Sequence, residues 1–110
     1  MSLDQQSCEP CRGGIPPLSA QEAEAALTET PGWKLIDDAG KLQRNIAFDD
    51  FKSAWAYADQ VAQLSEDHGH HPDITFGWGY CSVIFYSHKI GGLHRNDFIM
   101  AAKCNALLDA

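Results

Sequence analysis

The apolar pattern of this chain changes from a helical period to a strand period within a few residues near its middle. From Asp49-Asp50 to about Asp67, apolar side chains recur at helical spacing. Gly69 is the kind of residue that ends a helix, and Pro72 cannot continue one. Beyond the proline, apolar side chains occupy alternate positions, as they do in strands: Ile74, Phe76 and Trp78. The middle of the chain therefore predicts a helix followed directly by a strand.

The residues before this point predict one more helix and two strands. Ser19 and Glu22 have the spacing of a capping box, which starts a helix over about Ala20–Thr28, and Pro31-Gly32 ends it. Two strands joined by a turn follow: Trp33–Ile36 and Lys41–Phe48. Three aromatic side chains of the central helix are interpreted as core residues: Phe51, Trp55 and Tyr57.

The second half predicts a hairpin and a last helix. Gly79-Tyr80 suits a two-residue turn into a strand over Cys81–Ser87, and the last helix begins at Arg95 or Asn96. The order α-β-β-α-β-β-α indicates the α+β class, with one four-stranded antiparallel sheet and three helices. Residues 1–17 are rich in proline and glycine, so they predict an irregular arm, mobile at its start, before a single domain over residues 18–110.

Net charge and apolar content exclude several partners. The formal net charge is −7, and the 8 lysine and arginine residues are scattered. Nucleic acid and anionic membrane surfaces require concentrated positive charge, so neither is an expected partner. No apolar run approaches the ~20 residues that span a bilayer. The N-terminal residues lack the basic and apolar regions of a secretory signal, so the expected location is the cytoplasm.

Four cysteines are present, and none is in the context of a known cysteine motif. Cys8 and Cys11 form a C-x-x-C in the proline- and glycine-rich arm, whereas a redox pair of this spacing opens a helix after a strand. Cys81 and Cys104 are far apart and lie on different predicted elements. A zinc site requires a second close pair of ligands, so reduced thiols are the expectation for all four.

All five histidines lie between Glu66 and Asp97. Imidazole can give and take a proton near neutral pH, and it also binds metal ions. Three of these histidines fall at the mouth of the predicted hairpin: His70, His71 and His88. The other two, His68 and His94, have no further support and are expected to be solvated.

Two kinds of site remain open on the residues alone. Two imidazoles on opposite sides of a small substrate can remove a proton from one atom and protonate a leaving hydroxyl on another. A carboxylate beside an imidazole orients it for this purpose. Alternatively, His70, His88 and Asp97 could hold a metal ion. His70 and His71 could not easily bind the same ion, because adjacent residues in extended backbone point to opposite sides.

The spacing of these groups resembles the signature of the pterin-4a-carbinolamine dehydratases. The pattern reads Glu66, three residues, His70-His71-Pro72, five residues, Trp78, nine residues, His88, eight residues, Asp97. The resemblance extends over about residues 18–108 and includes three further segments: Pro31-Gly32-Trp33, Phe48-Asp49-Asp50-Phe51 and Gly91-Gly92-Leu93 with Arg95-Asn96-Asp97. The family's order of elements is also the predicted one.

The resemblance implies a dehydration that needs no cofactor and no metal ion. In it, 4a-hydroxytetrahydropterin loses water and gives the quinonoid dihydropterin during tetrahydropterin recycling. His70 and His88 are implied as the acid–base pair, and His71 as the residue that binds and positions the pterin ring. Asp97 is implied to orient a histidine. Glu66 is implied to support the acid–base pair without contacting the substrate itself.

The resemblance also implies which residues line the pterin pocket, much of it through the backbone: His70, His71, Pro72, Asp73, Ser87, His88, Lys89 and Ile90. Trp33 is expected either as a wall of this pocket or as a core aromatic. The family commonly has an aromatic residue just after the histidine-proline-acidic run. This chain has Ile74 there, which argues against stacking from that position.

The family implies partners as well as a substrate. Its members are usually homodimers or homotetramers, and an aromatic amino acid hydroxylase supplies the pterin in the same pathway. A homo-oligomer also suits a small domain whose sheet edges need cover. The alternatives are a binding module without the reaction, a metal-binding protein, and pterin chemistry in molybdenum-cofactor metabolism.

Overall fold

The computed structural model describes residues 3–8 and 16–109, the side chain of Asp109 excepted. Three helices and four strands follow one another: α1 Ala20–Ala26, β1 Lys34–Ile36, β2 Lys41–Ala47, α2 Phe51–His68, β3 Asp73–Gly77, β4 Tyr80–Phe85 and α3 Arg95–Asp109. All pairs in the four-stranded sheet are antiparallel, in the order β1-β2-β4-β3. The predicted α+β class and element order are confirmed. Within the described ranges, no helix is long and apolar enough to cross a membrane.

Local signals fix the ends of the helices. The side chain of Ser19 accepts from the backbone N–H of Glu22 and the Glu22 carboxylate accepts from Ser19, so the predicted capping box is present. The α-helix ends at Ala26 rather than near Thr28, because the chain tightens into a 3-10 turn over Leu27–Glu29. In α2, Asp50 accepts from the N–H of Ser53, and hydrogen bonds from Ser53 lower the pKa of its carboxyl.

The hairpin turn lies one residue earlier than predicted. Gly77 pairs with Tyr80, so Trp78 and Gly79 form the two-residue connection and Tyr80 already belongs to β4. Gly79 has a φ of 84°, which glycine adopts without the strain that a side chain would introduce. The prediction placed glycine first in the turn, whereas the structure places it second. Strand β4 also ends at Phe85, before the predicted Ser87.

The core lies between the sheet and α2 with α3, and it corrects two aromatic predictions. The buried stripe of α2 consists of Ala54, Tyr57, Ala58, Val61 and Ser65. Tyr57 is therefore a core residue, as predicted, and its hydroxyl donates to the carbonyl of Cys104 at 2.9 Å. Phe51 and Trp55 lie on the flank of this stripe and are 45% and 56% exposed, so their prediction as core residues was wrong.

The start of the N-terminal arm packs against α3. Leu3–Gln5 form a turn of 3-10 helix, and Leu3 is 3% exposed. Lys103 donates to the carbonyl of Asp4 at 2.8 Å, and Arg95 donates to the side chain of Gln6. The arm that was predicted to be irregular therefore contains a turn of 3-10 helix at these residues. Their cover explains why consecutive residues of α3, from Asn96 to Ala102, are all buried.

The described cysteines are free thiols. Cys81 and Cys104 are buried, and burial raises their pKa to about 11 and about 12. Cys8 is half-buried, and burial raises its pKa also, against the lowering effect of Lys103. Cys11, the other half of the C-x-x-C, lies outside the described residues. Thiols with raised pKa values are poor nucleophiles at neutral pH, which fits the expectation of reduced structural cysteines.

Asn105 of α3 joins the helix to the turn before β1. Its side-chain oxygen accepts from the indole N–H of Trp33 at 2.9 Å and from the guanidinium of Arg44, while its amide donates to the carbonyl of Pro31 at 2.9 Å. Gly32 has a φ of 88°, and a Cβ there would lie 2.7 Å from the Arg44 guanidinium carbon. This polar cluster fixes Trp33 in the core.

We expect Asn105→Ala to lower the free energy of unfolding by about 1–3 kcal/mol, because the indole N–H of the 6% exposed Trp33 loses its acceptor. Urea denaturation followed by tryptophan fluorescence measures the change. Gln63→Ala, an exposed polar truncation on α2, is the control, with an expected effect within about 0.5 kcal/mol. Equal stability of the two variants would contradict the proposed role of Asn105.

Candidate active site

A buried carboxylate lies at the centre of the candidate site. Asp97 is fully buried in the first turn of α3. Its Oδ1 lies 2.6 Å from Nε2 of His70, and its Oδ2 accepts from the hydroxyl of Ser87 at 2.8 Å and from the N–H of His94 at 2.9 Å. A buried charge is tolerated only with such partners. Asp97 therefore ties together three segments: the residues after α2, the loop after β4 and the start of α3.

His94 caps α3 rather than being solvated. Its Nδ1 accepts from the N–H of Asn96 at 3.1 Å, and its own N–H donates to Asp97. These reciprocal bonds resemble a capping box, in which the residue before the helix and one in its first turn satisfy each other's backbone. The expectation that His94 is solvated was wrong. Imidazole is not among the side chains that usually cap helices, so no sequence pattern indicates this role.

The end of α2 places His70 against Asp97. Gly69 is left-handed, with a φ of 65°, and the N–H of His70 bonds back to the carbonyl of Ser65. The imidazole of His70 is 11% exposed and stacks on Phe85, with ring centroids 5.9 Å apart and planes 10° apart. Because a carboxylate only accepts, Nε2 carries the proton of the bond to Asp97. His70 is therefore held by one hydrogen bond and one ring face.

Glu66 pairs with His71. Its Oε1 lies 2.8 Å from Nε2 of His71, and the two side chains are 78% and 62% exposed. Glu66 is in the last turn of α2, so the pair spans the end of that helix. The resemblance implied that Glu66 supports His70 and His88, whereas its hydrogen-bond partner in the structure is His71.

His88 approaches the same place from the other side. It is exposed, and its ring centroid lies 4.1 Å from that of Tyr86, with planes 43° apart. Ser87 between them is 1% exposed and points to Asp97 instead, which agrees with the alternation expected at the end of the strand. The N–H of Ser87 donates to the carbonyl of Gly92 at 2.8 Å, which closes the loop that carries His88.

These side chains surround one cavity of about 220 Å³. Its lining consists of Gly69, His70, His71, Tyr86, Ser87, His88 and Lys89. Five of the residues implied by the resemblance are among them, but Pro72, Asp73 and Ile90 are not. Tyr86 was missed, although its position two residues before His88 puts both on one side of an extended chain.

Trp33 does not line this cavity. Its ring lies in the core, 5.8 Å from the ring of Phe85, and its indole N–H is bonded to Asn105. Phe85 is also the ring on which His70 stacks. Of the two expectations for Trp33, the core aromatic is therefore the one that agrees with the structure, and it lies behind the site rather than in it.

The alternative, a metal centre, requires three ligand side chains close together. In the part of the chain that the structure describes, no group of three or more histidine, cysteine, aspartate or glutamate side chains could hold a metal ion. The three residues suggested for it, His70, His88 and Asp97, do not form such a group.

Comparisons with known proteins give one family. The family model for pterin 4 alpha carbinolamine dehydratase matches residues 16–107. A Cupriavidus pinatubonensis protein whose name includes "pterin-4-alpha-carbinolamine dehydratase 1" is 56% identical over 105 residues, which are 96% of this chain and 90% of that protein. A Methylococcus capsulatus protein with a similar name is 56% identical over 106 residues, 96% of this chain and 93% of that one.

A solved structure agrees with these likenesses. The crystal structure titled "transcriptional coactivator/pterin dehydratase from Brucella Melitensis" is 30% identical, with a TM-score of 0.77, and the match covers 83% of this chain and 97% of that one. Together with the fold, these likenesses place the chain among the hydro-lyases. It belongs to the pterin-4a-carbinolamine dehydratase family. The predicted family and activity, the dehydration of a 4a-hydroxytetrahydropterin, are confirmed.

We expect Ser87→Ala to lower the free energy of unfolding by about 1.5–3 kcal/mol, since the buried carboxylate of Asp97 loses one of its donors. Chemical denaturation of the variant measures the change. The control is Ser7→Ala, at an exposed serine after the Leu3–Gln5 turn, with an expected effect within about 0.5 kcal/mol. Unaltered stability of Ser87→Ala, with weaker substrate binding, would instead make its hydroxyl a substrate contact.

Proposed function

We propose that the imidazoles of His70 and His88 carry out the dehydration as an acid–base pair. One imidazole takes the proton from N5 of the 4a-hydroxytetrahydropterin, and the other donates a proton to the 4a hydroxyl as it leaves as water. A double bond forms between N5 and C4a, which gives the quinonoid dihydropterin. The observation that carries the proposal is that both imidazoles line one small cavity, from opposite segments of the chain.

The hydrogen bonds of His70 support this role. Asp97 accepts from Nε2, so Nδ1 is the ring nitrogen left for the substrate. Hydrogen bonds from Ser87 and from the backbone of His94 hold the carboxylate of Asp97 in place. The carboxylate in turn holds the imidazole of His70 in one position. A general acid or base must lie within hydrogen-bond reach of the proton that it transfers. The bond to Asp97 holds Nδ1 of His70 in one position for this transfer.

His71 and Glu66 are proposed to position the pterin ring. Both side chains are exposed, His71 lines the cavity, and the 2.8 Å contact with Glu66 orients its imidazole. The cavity of about 220 Å³ is smaller than the roughly 300–1,000 Å³ of pockets that enclose drug-sized ligands. It therefore suits a compact bicyclic ring whose side chain stays outside. An uncharged substrate of this kind is also compatible with the net charge of −7.

The proposed biological setting is tetrahydropterin recycling in the cytoplasm. An aromatic amino acid hydroxylase leaves the 4a-hydroxytetrahydropterin that this reaction consumes, so such a hydroxylase is the proposed source of substrate. The free thiols of Cys8, Cys81 and Cys104 support a reducing compartment.

We expect His70→Ala and His88→Ala each to lower kcat for dehydration by about 10²–10⁴-fold, which is the usual contribution of a general acid or base. Stopped-flow absorbance on the 4a-carbinolamine, generated in place by a hydroxylase, measures this loss. His68→Ala is the matched control, because His68 lies in the last turn of α2 and is not among the residues that line the cavity. Wild-type kcat in the His70→Ala/His88→Ala double variant would rule out the acid–base pair.

We further propose that the chain forms a homodimer or homotetramer. Among the described residues, five large apolar side chains are exposed: Phe51, Trp55, Phe76, Trp78 and Tyr80. The rings of Phe51 and Phe76 lie 5.6 Å apart, so the flank of α2 is continuous with β3. Strand β3 is also at an edge of the sheet, where a second copy could pair with it. Apolar patches of this kind usually mark protein interfaces.

We expect Trp55→Glu to shift the protein toward the 12.1 kDa monomer, because a carboxylate in an apolar interface would lose its hydration without a partner. Light scattering after size-exclusion chromatography at several concentrations measures the mass. Gln60→Glu adds the same charge at another exposed position of α2 and is expected to retain the wild-type mass. A wild-type protein that is monomeric throughout the concentration series would contradict the proposed assembly.

A further inference from the structure

We propose that Tyr86 is a positioning residue for His88, an inference that rests on the proposed catalytic role of His88. The two ring centroids are 4.1 Å apart, with planes 43° apart. Neither the signature of the family, as it reads in this chain, nor the acid–base argument includes Tyr86. Its ring nevertheless lines the cavity beside the imidazole.

The two proposed catalytic histidines are held in different ways. His70 has a hydrogen bond to a buried carboxylate and a parallel stack on Phe85. His88 is exposed, and among the described residues its ring contacts Tyr86 and forms no hydrogen bond. An exposed side chain without a fixed contact moves between rotamers on a picosecond-to-nanosecond scale. The ring of Tyr86 is therefore what limits the positions of this imidazole.

The backbone forces the two rings together. Tyr86 and His88 are the neighbours of Ser87, whose side chain is bonded to Asp97, and His88 begins the turn that follows. The N–H of Ser87 is bonded to Gly92, and the N–H of Ile90 and of Gly91 to the carbonyl of Ser87. Since the segment cannot rotate about Ser87 without breaking these bonds, Tyr86 and His88 stay side by side.

Tyr86 itself is fixed from the neighbouring strand. Nζ of Lys41 lies 4.7 Å from the centre of the Tyr86 ring, a distance at which a cation is attracted to an aromatic face. Lys41 is in turn 3.2 Å from Oδ2 of Asp37, in the turn between β1 and β2. A line of contacts thus leads from β2 through Tyr86 to the imidazole of His88.

A bland alternative is that Tyr86 is only part of the cavity wall. The two roles affect different kinetic constants. A wall that binds substrate and transition state equally changes KM and leaves kcat unaltered. A residue that keeps the imidazole in a reactive position changes kcat, because a displacement of about 1 Å can lower a rate by about 10²-fold.

The kinetic experiment compares Tyr86→Ala and Tyr86→Phe, each in the wild-type protein and in His88→Ala. We expect Tyr86→Ala to lower kcat by about tenfold to a hundredfold with a smaller change in KM, and Tyr86→Phe to restore most of that loss, since the ring is what positions the imidazole. In His88→Ala, we expect Tyr86→Ala to cause no additional loss, because residues that act through one another are not additive. Ile84→Ala, on the same side of β4 but outside the cavity lining, is the control for general disturbance of the strand.

A second readout does not depend on activity. In proton–carbon NMR spectra of the imidazoles, the tyrosine ring current shifts the resonances of His88. We expect this shift to disappear in Tyr86→Ala and to persist in Tyr86→Phe, while the resonances of His70 stay in place.

The outcomes separate the two proposals. Wild-type kcat in His88→Ala overturns the proposed function, and the inference with it. A large loss in His88→Ala together with wild-type kcat in Tyr86→Ala overturns only the inference. An equal loss from Tyr86→Ala in both backgrounds also overturns it, as does an imidazole resonance of His88 that is unaltered in Tyr86→Ala.

Discussion

The bonds to the buried carboxylate of Asp97 are the interaction on which the site depends. An ionised carboxylate with no exposure would be strongly destabilising without donors, and here it has three. The donors come from three segments, and the His70 segment is 27 residues away from Asp97 in sequence. Folding can satisfy Asp97 only when the end of α2, the loop after β4 and the start of α3 have all come together. The same condition places His70 and Ser87, so the geometry of the site is a consequence of satisfying one charge.

The two proposed catalytic imidazoles then differ in rigidity for a physical reason. His70 is held by a charge-assisted hydrogen bond and a ring face, at 11% exposure. His88 must stay exposed if a substrate is to reach it, so no buried partner can hold it. An adjacent aromatic ring is a solution compatible with exposure, since it restricts an imidazole without occupying its nitrogens. The pairing of one rigid and one accessible imidazole suits a reaction in which both must touch the same small molecule.

Features set by local chemistry were predictable from the sequence, and features set by distant packing were not. The capping box at Ser19 and the end of α2 at Gly69 each depend on a few neighbouring residues, and both were predicted. The exposure of Trp55 depends on which side of α2 meets the sheet, and a small error in the orientation of the helix reverses the prediction for a residue on the flank of the buried stripe. The cap made by His94 depends on one ring nitrogen, and periodicity carries no information about it. To predict that Glu66 pairs with His71, rather than with another histidine, one likewise has to know the direction of the chain after Gly69.

Helix α2 contributes to both the proposed interface and the candidate site, and these two regions lie at different ends of the helix. Trp55, on the proposed interface, lies 13 residues before His68, which corresponds to about 20 Å along the axis at 1.5 Å per residue. Glu66 and the turn into His70 are at the far end of the same helix. Between them, Ala58 and Val61 are buried against the sheet, so the helix is anchored in its middle. A contact at the Trp55 end therefore reaches His70 only through a packed helix. The proposed interface and the proposed proton transfer therefore fall on separate parts of one element.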